Sequence, residues 1–231
     1  MIHHLLFDLD ETLYPQSTGL MDEISARMNE YMIARLDIPA HAVAQMRHDY
    51  WDRFGTTLRG LYLERHIDPQ DFLAFVHAVA VEKYIQRDER LDAMLAALPH
   101  PKHIFTNAPA DYARRVLAAL GVEKHFTRVF DINFIRYESK PNRAAYTIVL
   151  DALGARGDEC VLIDDTARNL APARALGMRT VLVRGSARSD DGHGADAVID
   201  SIYDLVSLRG VVFAEAIFDM KPRLLRKKRS Q

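Results

Sequence analysis

The sequence predicts an α/β protein: a parallel sheet with helices on both faces, plus an inserted all-helical unit. Three observations carry this. Short apolar runs alternate with longer stretches of helical periodicity, the pattern of a parallel sheet covered on both sides. One long segment near the N-terminus is helical throughout. Acidic residues collect where two of the apolar runs end.

The strand candidates are residues 4–8, 103–106, 128–130, Cys160–Asp164, 180–183 and Ala197–Ile199. Each is short, apolar and followed by turn or polar residues. Between them, Ala110–Leu120, 142–153 and Ala167–Ala175 read as helices, the last stopped by Gly177, which suits a helix C-terminus. From residue 16 to 85 no strand is convincing. Apolar residues three and four apart predict helices over 21–36, 39–53, Thr57–Arg65 and 69–84. A block this long is too large for a loop and forms its own unit. The division expected is 1–15 with 88–210 as the sheet domain, 16–87 as the helical unit, and 211–231 as a C-terminal helix and basic tail.

The chain has 231 residues, 48% apolar and 27% charged, with a net charge of −2, so no overall charge draws it to nucleic acid or membrane. A run of Lys221, Arg223, Arg226, Lys227, Lys228 and Arg229 near the end reads as a solvated tail. The single cysteine, Cys160, excludes an internal disulfide framework and sits in an apolar run as buried filler. No run approaches the roughly 18 apolar residues of a membrane span, and the first residues lack signal-peptide character. A cytoplasmic protein, monomer or homodimer, with no nucleic-acid polymer and no membrane as partner, is expected.

Asp8, Asp10 and Glu11 follow the first apolar run, and Asp164 and Asp165 end the fourth. Thr106 and Asn107 end the second. Lys140 precedes Pro141, a residue suited to a first helical turn, which would put Lys140 at a helix N-terminus. In a parallel sheet these strand ends share one edge, and ligands bind there. The helical block leaves the chain just after Asp10 and is placed to cover that edge. Crowded carboxylates repel unless a cation sits among them. A hard ion with oxygen ligands such as Mg²⁺ fits, leaving room for a substrate phosphate. An ammonium and a hydroxyl beside it would hold phosphate oxygens. One carboxylate could attack phosphorus while its neighbour works as acid and base.

The ordered set Asp8-Leu9-Asp10-Glu11-Thr12, Thr106, Lys140 and Asp164-Asp165 resembles the four motifs of the haloacid dehalogenase-like hydrolase superfamily. The resemblance implies a Rossmann-like sheet with a helical cap and phosphatase chemistry on a small phosphomonoester. Asp8 would be the nucleophile forming an aspartyl-phosphate, and Asp10 the acid and base. Thr106, Asn107 and Lys140 would bind phosphate. Mg²⁺ would be held by the Asp8 carboxylate, the Asp10 carbonyl and Asp165, with Asp164 ligating directly or through water. Thr12 and Asn169 would support these from behind; Asn169 stands where capped relatives carry a second aspartate. Asp10 sets the chain apart from true dehalogenases, which lack an acid there. A lone cap lysine, Lys83, near the hinge argues against phosphonate cleavage.

Within the superfamily, FDLDETLYP, FGTTLRGL (54–61), DFLAFVH (71–77) and FTNAP (105–109) are similar to the pyrimidine 5′-nucleotidase branch. Thr56, Thr57 and Arg59 are then candidate substrate contacts. Thr56 reads equally as an N-cap for the next helix. Arg47, Tyr50, Trp51 and Arg59 could contact a base or ribose, but read more readily as residues of cap helix faces, with Trp51 as packing; the polar 190–196 loop reads as solvated. A sugar phosphomutase, a phosphatase of another small metabolite and a non-catalytic binding protein of the same fold remain open alternatives.

Overall fold

The computed structural model describes residues 1–185 and 194–208. The 211–231 segment and most of the 190–196 loop lie outside the described residues. The first strand, β1 (His4–Phe7), is followed by four helices: α1 (Leu20–Leu36), α2 (Ala40–Phe54), α3 (Thr57–Arg65) and α4 (Pro69–Val76). The alternating part runs α5 (Glu89–Ala97), β2 (Lys102–Phe105), α6 (Ala110–Leu120), β3 (Phe126–Phe130), α7 (Arg143–Leu153), β4 (Cys160–Asp164), α8 (Ala167–Ala175), β5 (Arg179–Val183) and β6 (Ala197–Ile199).

These strands form one sheet in the order β3-β2-β1-β4-β5-β6, with every pairing parallel. β2, β4 and Leu5 to Phe7 of β1 are buried throughout, because helices cover both faces of a parallel sheet. Cys160 is fully buried among them. The order reverses at β1: β2 lies on one side and β4 on the other. That is the switch point where open α/β sheets bind ligands. Phe7 is level with Ile104 of β2 and Ile163 of β4, so the residues just beyond all three strands meet at one edge.

The helical insert has its own apolar contacts. Tyr31 of α1 meets Phe72 and Phe75 of α4 edge-on, with ring centroids 5.1 and 5.5 Å apart, and donates to Asp71 at 2.8 Å. Helix α4 starts cleanly because Asp68 accepts from Gln70 N and Pro69 occupies the first turn.

Two details depart from the sequence expectations beyond the usual end effects of a residue or two. The expected helix over 69–84 stops at Val76, and a short 3₁₀ turn, Val81–Lys83, follows. Arg115 of α6 donates to the carbonyls of His77 (2.6 Å) and Val79 (2.7 Å), acceptors that a continued helix would need for residues 81 and 83. Pro141 is not in the first turn of α7. Asn142 is the N-cap, accepting from Ala144 N at 3.1 Å, so Lys140 lies two residues ahead of the cap, joined to Pro141 by a cis peptide bond. Gly177, with φ +86°, stands directly after the C-cap Leu176 and stops α8 as expected.

Candidate active site

Asp8 is the first residue past β1. Its backbone N–H reaches Ile163 O at 2.9 Å, which holds it level with the end of β4. The Lys140 ammonium, almost wholly buried, stands between Asp8 Oδ1 (3.0 Å) and Asp164 Oδ2 (2.7 Å). Burial pushes the Lys140 pKa down, but Asp164 and Asp8 outweigh it and the net shift is upward. The lysine is a fixed cation. It sits beneath the carboxylates and is absent from the wall of the cavity above them.

Asn107 ties that lysine to the second strand. Its amide donates to Lys140 O at 3.2 Å and its carbonyl accepts from Lys140 N at 2.8 Å. The Asn107 side chain therefore positions Lys140 while still lining the cavity. Thr106 is buried and accepts from Ala108 N at 3.0 Å, which leaves its own hydroxyl proton for another acceptor.

Asp164 is enclosed. Its oxygens accept from Lys140, from Thr166 N (2.8 Å) and from the Asn169 amide (3.0 and 3.2 Å). Asn169 thus keeps a hydrogen-bonding place, directed at Asp164. Asp165 is held differently. Thr12 Oγ1 donates to Asp165 Oδ1 and accepts from Asp165 N, both at 3.0 Å, so the turn after β1 and the end of β4 are stitched together.

Oxygens of Asp8, Asp164 and Asp165 lie within 4.8 Å of one another. Burial, followed by Asp164, drives the Asp165 pKa up to about 7. Burial raises the Asp8 carboxyl well above the usual range; Lys140 pulls against it, and the neighbouring aspartates add to the rise. One ammonium does not balance this many carboxylates. The donors are all hard oxygens, and Asp165 retains acceptor capacity, so the set suits a hard divalent cation.

Asp10 has a separate environment. The phenols of Tyr14 and Tyr112 (2.8 Å) both donate to its Oδ1. Burial raises the Asp10 pKa, and the two phenol bonds and Lys140 oppose the rise. Sequence reasoning missed both tyrosines. Tyr14 lies four residues beyond Asp10 within the same motif, which was a usable signal; Tyr112 comes from α6, 102 positions away along the chain.

Above these groups lies a cavity of about 330 Å³, floored by Asp8, Asp10, Thr106, Asn107 and Asp165. Its far wall comes from the helical insert and is mostly apolar: Met21, Ile24, Met28, Leu58, Phe72 and Leu73, with Arg47, Trp51 and His77. The size and the mix of apolar walls with few polar groups are those of a small-ligand site. Thr56 and Thr57 both line it. Thr56 is the α3 N-cap, accepting from Arg59 N at 3.1 Å, and its hydroxyl also meets Ser139 Oγ at 3.2 Å. Arg59 does not line the cavity. It binds Tyr137 O (2.8 Å) and Glu138 (2.7 Å), latching α3 to the loop that carries Lys140. Trp51 is not core packing: it is 46% exposed, lies on the cavity wall and stacks under Arg168 at 4.2 Å.

A sheet with its acids gathered at the switch point, under a helical insert, defines a class of α/β proteins that handle small ligands at that edge. A family model for haloacid dehalogenase-like hydrolases matches residues 2–177, and the chain belongs to this family. It is 26% identical over 226 residues to a phosphoglycolate phosphatase of Pectobacterium atrosepticum, covering 90% of this chain and 93% of that one. Among solved structures it resembles a HAD phosphatase from Thermococcus onnurineus (TM-score 0.62, 19% identity, 90% of this chain and 98% of that one). It also resembles L-2-haloacid dehalogenase from Xanthobacter autotrophicus (TM-score 0.59, 17% identity, 91% and 100%). Among the described residues no helix is long and apolar enough to cross a membrane.

Proposed function

We propose that the protein is a Mg²⁺-dependent phosphatase of small phosphomonoesters that works through an aspartyl-phosphate on Asp8, with pyrimidine nucleoside 5′-monophosphates as its substrates. The observation that carries the chemistry is the pair of unlike carboxylates on one turn. Asp8 is pinned by Lys140 at 3.0 Å, and Asp10 is held on one oxygen by two phenols. A carboxylate fixed by a buried ammonium suits a nucleophile. A carboxyl with a raised pKa and one oxygen left open suits an acid and base.

In this reading Asp8 attacks phosphorus, the Asp8 O–P bond forms and the ester O–P bond breaks. The departing oxygen takes the proton of Asp10. Water then attacks phosphorus, Asp10 takes its proton, the Asp8 O–P bond breaks and phosphate leaves. The Thr106 hydroxyl donates to a phosphoryl oxygen, and Lys140 favours the ionised form of Asp8 and holds it in place. Mg²⁺, held by Asp8, Asp165 and the Asp10 carbonyl, would supply positive charge against the phosphoryl oxygens. Asp164, with its oxygens already engaged, acts through Lys140. Residues 16–87 serve as the cap and residues 1–15 with 88–210 as the catalytic domain.

The largely apolar wall with the rings of Trp51 and Phe72 supports a leaving group with a ring. The curated relative of Pectobacterium atrosepticum favours a second reading, a phosphatase of phosphoglycolate. The deciding experiment is phosphate release with Mg²⁺ from UMP, CMP, purine monophosphates, sugar phosphates, phosphoglycolate and an aryl phosphate. Asp8→Asn is the blank and is expected to be inactive but folded. Preference for UMP and CMP supports the nucleotidase reading; preference for phosphoglycolate replaces it. Normal turnover by Asp8→Asn would remove the mechanism.

A further inference from the structure

The wall of the cavity holds one cation that the chemistry above does not use. Arg47, on α2, reaches the oxygen acceptors of α1 through a single nitrogen. Its Nη1 donates to Ser25 O (3.0 Å), Ser25 Oγ (2.8 Å) and Asn29 Oδ1 (2.7 Å). Its Nη2 meets only the thioether of Met28, a weak acceptor, at 3.5 Å. Its Nε–H is buried and has no hydrogen-bond partner. Among the described residues no carboxylate forms an ion pair with it. The bonds at Nη1 lock the guanidinium plane.

The geometry of the side chain makes this pattern informative. Nε–H and one Nη2–H project in parallel along one edge of the guanidinium, the edge that takes a carboxylate or carbonyl as a two-pronged fork. That edge is the one left without an oxygen. Met21, Ile24 and Leu73, which share the wall with it, carry no side-chain acceptor. Met28 is unbranched and adaptable, so it can cover the edge at rest and move aside for a ligand. Phosphate belongs at the carboxylate floor, so whatever reaches the insert wall is the leaving group.

We propose that Arg47 reads the substrate: its Nε/Nη2 edge takes an sp² oxygen, a carbonyl or a carboxylate, on the leaving group of the phosphomonoester. This rests on reading the cavity as a phosphomonoesterase site. A site built to hydrogen-bond such an oxygen discriminates strongly against analogues that lack it.

The test compares kcat/KM for phosphate release with Mg²⁺ by the wild type, Arg47→Met and Arg47→Lys. The substrates are UMP (ring carbonyls), phosphoglycolate (carboxylate), AMP and phenyl phosphate (neither). Arg47→Met is expected to lose at least ~10-fold more on UMP or on phosphoglycolate than on phenyl phosphate, mainly through KM. Arg47→Lys, which keeps the charge but not the planar fork, is expected to fall between. A selective loss on UMP identifies a base carbonyl, and one on phosphoglycolate a small carboxylate. Equal losses on all four substrates, the mark of a packing role, overturn the proposal while leaving the hydrolase reading intact. Phosphate release from none of them by the wild type overturns both.

Discussion

Asp10 shows how much a few neighbours decide about one carboxylate. Tyr14 and Tyr112 both donate to Oδ1, which leaves Oδ2 as the oxygen open to exchange a proton. Both phenols have pKa values raised first by burial and then by Asp10, so they remain donors. A hydrogen bond to a charged group contributes about 1.5–3 kcal/mol. Tyr112→Phe should therefore lower kcat by roughly 10- to 100-fold with little change in KM, if the phenol aims and tunes the acid. Steady-state kinetics on the best substrate checks this, and a wild-type kcat would remove Tyr112 from the site. The acids themselves were legible in the sequence because carboxylates at strand ends are unusual. The phenols were not, because a tyrosine on an apolar helix face looks like core.

At the scale of elements, the turn between α2 and α3 matters most. Gly55 has φ +89°, and a Cβ there would meet Pro141 Cδ at 2.5 Å and Lys140 O at 2.7 Å. The insert thus touches the backbone of the residue that holds Asp8. Gly55→Ala combines a left-handed backbone with a clash and is expected to destabilise by about 1–3 kcal/mol. At this chain length that lowers Tm by roughly 2–12 °C. Turnover should fall too, since Lys140 must shift. Thermal unfolding beside a phosphate-release assay tests both; an unchanged Tm would show that the loop yields freely. Periodicity located the helices of the insert, but it over-extended α4, because carbonyls captured by Arg115 are a contact between distant segments. It also placed Trp51 in packing, where the fold sets it on the cavity wall.

Across the whole molecule, buried histidines link stability to pH. His103 bridges His4 (3.1 Å) and Thr127 (2.9 Å) on the sheet, and His77 stacks on Tyr112 with centroids 4.8 Å apart. Burial first pushes each from 6.5 to about 4; the charges of His4 and Arg128 add to this at His103, whereas at His77 the Leu73 carbonyl and Asp111 oppose it and Arg115 adds to it. The unfolded chain binds these protons below pH 6.5, whereas the folded chain does so only near 4. The stabilisation is therefore fully present above 6.5 and is lost as pH falls toward 4. Between pH 7.5 and 5 each histidine accounts for about 2 kcal/mol. Urea unfolding at both pH values should show that loss, and His103→Gln should show a smaller one. Equal losses in the two proteins would mean that His103 is not a source of the pH dependence.

Sequence alone determined the α/β class, the place of the helical insert and the residues that meet at the sheet edge. Those features depend on periodicity and on charges that have no business at the end of an apolar strand. Only the tertiary structure decided what each group faces. It set Lys140 between Asp8 and Asp164, turned Arg59 away from the cavity and Arg47 onto its wall, and brought Tyr112 to Asp10. The physical reason is distance along the chain. Hydrogen bonds between residues about a hundred positions apart leave no periodic trace, and they exist only once the sheet has set its register.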